Sequence, residues 1–189
     1  MSLTPVQKLT LRTNIQANTT VLAFGGGNQQ INTVFAGASL GSGDAQLMAD
    51  WYNLPTNPNF WGFPSSVAVE MVVKGIDGGE YLVLAAQSAT TNLHHNLLAL
   101  LLANGVIHPG DPSVRTKLTT IFPAGTAPIT RAAILAECTR IMNNLEKVFK
   151  TTATGPAGGD GSAQNVAANL PFEGAVTGND ISDIKGLPV

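Results

Sequence analysis

Charged side chains are the main shortage in this sequence. They make up 12% of its 189 residues, against roughly 25% in an average soluble protein. Hydrophobic residues account for 44%, so the surface has to be built largely from Thr, Asn, Gln, Ser, Gly and Ala. A surface so weakly charged points to burial against other subunits, because an isolated monomer relies on charge for solubility. The ten Lys and Arg are scattered and the formal net charge is -2. An electrostatic nucleic-acid binder would show a basic stripe, and none is present.

Cysteine is nearly absent too. A single one, Cys138, excludes an intrachain disulfide and any multi-cysteine zinc site, and fits synthesis in a reducing cytoplasm. The apolar run NLLALLLANG (96–105) is too short to cross ~30 Å of hydrocarbon. The opening MSLTPVQKLT lacks a basic region followed by an apolar core. A soluble chain without a classical export signal is therefore expected.

Helical punctuation dominates what is there. Thr4 as N-cap, Pro5 at the first helical position and Gln7 three residues after the cap predict a helix from Pro5 to about Ala17. The Gly-, Asn- and Thr-rich stretch that follows has two short runs of β-branched and aromatic residues, compatible with a hairpin or an ordered loop. From Asp44, Leu47, Met48, Trp51 and Tyr52 share one helical stripe, which the prolines of LPTNPNFWGFP end. SSVAVEMVVKG suits a helix capped by Ser65 or Ser66 and ended by Gly75; its valines would suit strands as well, and helix is preferred. NLHHNLLALLLANG is apolar around almost its whole circumference and predicts a buried central helix, starting as early as Tyr81 and stopping at Asn104-Gly105.

Asp111-Pro112 repeats the cap-plus-proline start, with Val114, Leu118, Ile121 and Phe122 on one face before Pro123. The longest helix is expected from about Pro128 to Lys150. There Ile134, Cys138, Ile141, Leu145 and Val148 form one seam, widened by Leu135, Met142 and Phe149. On its exposed side Glu137 with Arg140, and Glu146 with Lys150, have the spacing of weak helical ion pairs. After Lys150 the composition is too poor in large apolar groups to offset the entropy of ordering. Apolar residues return in LPFEGAVTGNDISDIKGLPV, where Thr177 to Asp180 has capping-box spacing.

The expected fold is mainly α: a helical bundle domain over residues 1–150, carrying a Gly-rich insertion, then an extended C-terminal arm over 151–189. Phe172, Val176, Ile181 and Ile184 are the candidate partner-binding residues of that arm, folding on a neighbour.

Chemical motifs are weak. The three histidines, His94, His95 and His108, cluster in one stretch. His94 and His95 lie about 100° apart on a helix and cannot share a metal as an i, i+4 pair would. His108 falls beyond Gly105 with no carboxylate pattern nearby. GASLG (37–41) matches the G-x-S-x-G nucleophile elbow and makes Ser39 the one serine-hydrolase candidate, with NTVFA as a strand before it. Gly43 intervenes before the helix, and no strand-helix alternation surrounds the motif. Gly25-Gly26-Gly27 lacks the spacing of a nucleotide-binding loop. Asn18-Thr19-Thr20 is a glycosylation pattern without a secretion route. Cys138 reads as a small buried hydrophobe and Trp51 and Trp61 as core anchors. No catalytic residue, cofactor or metal site is expected.

Five segments occur in a fixed order along most of the chain: LTPVQ (3–7), NGVIHP (104–109), VRTKLTTIF (114–122), ECTRIMNNLEKVF (137–149) and FEGAV (172–176). Together they resemble a family of small structural proteins of tailed bacteriophages. The resemblance implies a virion protein of the neck, made in the host bacterial cytoplasm, most simply the head-to-tail connector, or adaptor, that assembles as a ring of about twelve copies beneath the portal. By the same resemblance its partners would be copies of itself, the portal protein, tail or neck proteins and DNA passing through the ring, with no membrane. A capsid-decoration or tail-completion protein of the same virion is the alternative. The sequence departs from the family pattern in its Gly-rich insertion, Thr19 to Gly43, and in its longer tail after Lys150.

Overall fold

The computed structural model describes residues 3–86, 98–152 and 159–187. Along the chain the elements begin with α1 (Pro5–Ala17), β1 (Val21–Phe24), β2 (Gly27–Gln30), α2 (Ile31–Ala36), α3 (Ser42–Asn53), β3 (Trp61–Phe63) and β4 (Val67–Ala68). They continue with α4 (Val69–Lys74), α5 (Gly78–Ala85), helical residues 98–102, β5 (Val106–Ile107), α6 (Pro112–Ile121), α7 (Pro128–Glu137) and β6 (Arg140–Ile141). α8 (Asn144–Phe149), a 3-10 turn (Gln164–Val166), β7 (Ala168–Asn169) and α9 (Gly178–Lys185) complete the order. Helix predominates, as expected, with small sheets beside it. Among the described residues no helix is long and apolar enough to cross a membrane.

The chain divides into two compact units, each assembled from separate stretches of sequence. The first comprises Met1–Asn57, Met142–Phe149 and Phe172–Val189; the second comprises Pro58–Ile141 and Lys150–Pro171. The expected partition at residue 150 is thereby corrected. Residues 150–171 belong with the second unit and the C-terminal helix with the first.

In the first unit, α1 starts where its capping residues dictate. The Gln7 amide donates to Thr4 Oγ1 at 3.3 Å and the Thr4 amide to Gln7 Oε1 at 2.9 Å, so two amides without helical partners are satisfied reciprocally. β1 and β2 form an antiparallel hairpin in which Phe24 faces Gly27, leaving Gly25 and Gly26 as a two-residue turn. Gly27, at φ 100°, supplies a backbone conformation that a side chain would resist. The Gly-rich insertion is thus an ordered hairpin followed by α2, and the Gly25 amide donates to Asp44 Oδ1 at 3.0 Å. In α3 the buried residues are Ala45, Met48, Ala49 and Tyr52, while Leu47 and Trp51 pack at the margin of the core.

α9 lies along α3. Its own capping box, Thr177 with Asp180, starts it as the spacing predicts. The approach is close at Gly178, where a Cβ would sit 2.9 Å from the Gln46 backbone nitrogen. Asn53 receives the Val176 amide at 3.0 Å and returns a bond to the Val176 carbonyl at 2.8 Å. Lys185 donates to the carbonyls of Phe35 and Gly37, covering acceptors left open at the end of α2.

The second unit is built on β3, which pairs antiparallel with β6 and parallel with β7. A second ladder joins β4 to β5 antiparallel. Phe63, Val72, Leu118, Ile121, Phe122, Ile134 and Cys138 are among its core residues. α7 begins without a side-chain cap of its own. Glu80 supplies one from elsewhere, accepting the Ile129 amide at 2.9 Å and the Thr130 amide at 2.7 Å. Burial works against ionisation there, but the bonds from Thr130 and Ile129 outweigh it and hold the Glu80 carboxyl below its ordinary range.

Three sequence expectations need correcting. The continuous helix from Pro128 to Lys150 is broken between Cys138 and Asn143. Asn143 caps a new helix, receiving the Glu146 amide on Oδ1 at 2.7 Å while Glu146 Oε2 takes the Asn143 amide at 3.0 Å. The expected seam is shared out, with Ile134 and Cys138 in the second core and Leu145 and Val148 in the first. Neither expected ion pair is the main contact of its acid. Glu137 pairs with Lys74 at 3.2 Å, and Glu146 is buried against backbone amides. The central helix is not apolar all round within a core, since Leu98 is buried while Leu100 stands 71% exposed; residues 87–97 lie outside the described residues.

Candidate functional site

The four residues assigned to a docking arm are the clearest test of the sequence reading. Phe172, Val176, Ile181 and Ile184 are all buried, and all belong to the core of the first unit. The physical reason is that Gly178 has no side chain where the last helix meets Gln46 of α3, which lets the two helices come close enough to bury both isoleucines. Phe172 meets the Phe149 ring edge-on at 5.2 Å. No extended arm is formed by these residues, and the segment they occupy is core.

Ser39 sits exposed in the connection between α2 and α3. The residues expected as a strand before it, NTVFA, are helical. A nucleophile elbow needs a strand-to-helix turn, so the local backbone that would make Ser39 reactive is missing. His94 and His95 lie outside the described residues. Cys138 is fully buried, as expected of a small hydrophobe, and burial pushes its thiol up to about 12.

His108 lines an open cleft of about 380 Å³ in the second unit, together with Ser65, Asp111, Thr151 and Asn169. Its Nδ1 lies 2.7 Å from the Ser65 carbonyl, which makes Nδ1 the protonated nitrogen of the neutral ring. Asp111 caps α6 through the Ser113 amide at 2.8 Å, and that bond is the chief cause of its lowered pKa. Its carboxylate is committed to the helix. Among the described residues no group of three His, Cys, Asp or Glu is placed to hold a metal ion.

Sequence reasoning missed Arg115. It is wholly buried on α6, its guanidinium stacked 4.3 Å over the Phe63 ring and donating to the Pro109 carbonyl. Among the described residues its Nε and Nη2 have no hydrogen-bond partner, and desolvation lowers its pKa. The available signal was its place three residues before Leu118 and six before Ile121, on the same apolar face. Arg115 locks α6 onto β3 and faces no open cleft, so it reads as structural.

What the two units do present is apolar surface. On the first, Val6 is 73% and Leu9 51% exposed on α1. Beside them Leu3, Pro5, Lys8, Leu9 and Leu187 line an open groove of about 450 Å³. On the second, Val73 on α4 and Leu82 and Val83 on α5 project outward, Leu82 at 69% exposure. A further shallow groove, about 340 Å³, runs past Pro128, Arg131, Leu135 and Val166. Where exposed apolar groups are contiguous, they form the kind of surface that other molecules cover. Comparison with family models, curated proteins and solved structures finds no match to this chain.

Proposed function

We propose that the chain is a structural, non-enzymatic subunit of a tailed-phage virion, situated in the neck, where copies close into a ring beneath the portal as the head-to-tail connector. The ordered set of five sequence segments supports the family, and the weak surface charge supports a life spent covered by other subunits. The observation that carries the reading is the exposure of large apolar side chains on both units, Val6 and Leu9 on one and Val73, Leu82 and Val83 on the other. Ring closure requires two different surfaces of one subunit to match, with the same interface repeated by a fixed rotation. Two such surfaces are available. Phe172, Val176, Ile181 and Ile184 are used in the core of the first unit and are not offered for docking in this reading.

The test is the mass of the purified protein by light scattering, alone and after mixing with the portal protein of the same virion. A ring of fixed stoichiometry on the portal is expected. A protein that stays monomeric at all concentrations and does not bind the portal refutes the connector. Copy number in purified particles separates the alternative, since a decoration protein would greatly outnumber a connector.

A further inference from the structure

Resting on that proposal, we infer that the α1 groove of one copy receives the outward face of α4 and α5 from the next, with Lys8 meeting Glu70 across the junction. The groove is apolar except for Lys8, which rises between Pro5 and Leu9. Lys8 Nζ stands 4.0 Å from Asp183, at the limit of an ion pair, on the side of a carboxylate that is itself well exposed. Such a contact leaves ammonium donors open to a second acid.

Among the described residues the second unit exposes apolar side chains in several places, Leu100 at 71% and Ile129 at 62% among them, and two of these surfaces differ in the charge beside them. One, beside α7, carries the cation Arg131, which would repel Lys8. The other carries an acid. Glu70 occupies the exposed first turn of α4, three residues before the exposed Val73, so carboxylate and valine share a face of that helix. Among the described residues no hydrogen bond or ion pair engages Glu70, whereas the nearby Glu80 is committed to α7 and Asp77 to the cap of α5. Leu82 and Val83 then supply projecting side chains of the size an open groove of about 450 Å³ accepts.

A second copy of the chain is therefore the occupant that the charges select. The junction is heterologous, since groove and projecting face are different surfaces, and so it leaves a free groove and a free face at the ends of any open chain of subunits. Charge supplies register here, while the apolar groups supply the buried area.

Zero-length carbodiimide coupling tests the inference on the full-length protein. A mixture of unlabelled and 15N-labelled protein at high concentration should yield Lys8–Glu70 cross-links between heavy and light chains. Lys8→Glu and Glu70→Lys should each lose them and lose higher-mass species in light scattering, with thermal melting unchanged as a check on folding. Mixing the two variants restores opposite charges at every junction, and heavy–light cross-links between positions 8 and 70 should return. Rings that persist in both single variants, or inter-chain cross-links that bypass both residues, overturn the inference and leave the connector standing. A wild-type protein without inter-chain cross-links that also ignores the portal defeats both.

Discussion

Replacing Phe172 with Ala decides whether the C-terminal segment is core or arm. Phe172 is 4% exposed and packs on Phe149 within the first unit. Truncating a buried phenylalanine costs about 3 to 5 kcal/mol, combining lost transfer energy with the cavity left behind. The edge-on aromatic pair accounts for roughly 0.5 to 1.5 kcal/mol beyond area burial. Out of a total stability of about 5 to 15 kcal/mol, such a loss is severe. With a urea slope of about 2 kcal/mol/M, a loss of 3 kcal/mol moves the midpoint down by roughly 1.5 M. The two tryptophans are well placed to follow it, because Trp51 belongs to the first unit and Trp61 to the second. In a Trp61→Phe background, Trp51 fluorescence reports the first unit alone. A midpoint shift of that size, with circular dichroism following the same transition, is expected. A shift below about 0.3 M would mean that Phe172 behaves as a surface residue, for which changes stay within about 0.5 kcal/mol, and would refute the packing of the segment on its own chain.

Asn143→Ala removes the cap that separates α8 from α7 and should cost about 1 kcal/mol, read as a lower thermal midpoint; an unchanged midpoint would show that the helix break has another cause. Alkaline titration should expose two buried acids, since burial raises the Cys138 thiol from 9.0 to about 12 and the Tyr52 phenol from 10.0 to about 12. Both hold their protons more tightly folded than unfolded. Their contribution is intact below about pH 9 and is lost as the pH rises towards 12, where the unfolded chain ionises first. Urea midpoints measured between pH 8 and 11 should fall steadily, and Cys138→Ala should flatten the first part of that fall.

Short-range features were legible because their causes are short-range. Thr4 with Gln7, Thr177 with Asp180, and Asp111 with Pro112 mark helix starts through contacts two or three residues apart, and each starts its helix where the sequence places it. The same kind of signal was present in Asn143 and Glu146. The apolar spacing running through them fits a continuous seam equally well, and periodicity cannot tell one long helix from two short ones serving different cores. The candidate arm failed for a related reason, since a stripe of Phe172, Val176, Ile181 and Ile184 states that something must cover it without saying what.

Sequence alone therefore determined the helical character, the scarcity of charge and cysteine, and the points where several helices begin, all consequences of composition and of neighbours along the chain. Only the tertiary structure decided which stretches share a core, that Glu80 would cap α7 from fifty residues away in sequence, and that the last helix would lie on α3. Those outcomes depend on shape fit between surfaces distant along the chain, such as Gly178 against Gln46, and no local pattern carries that information.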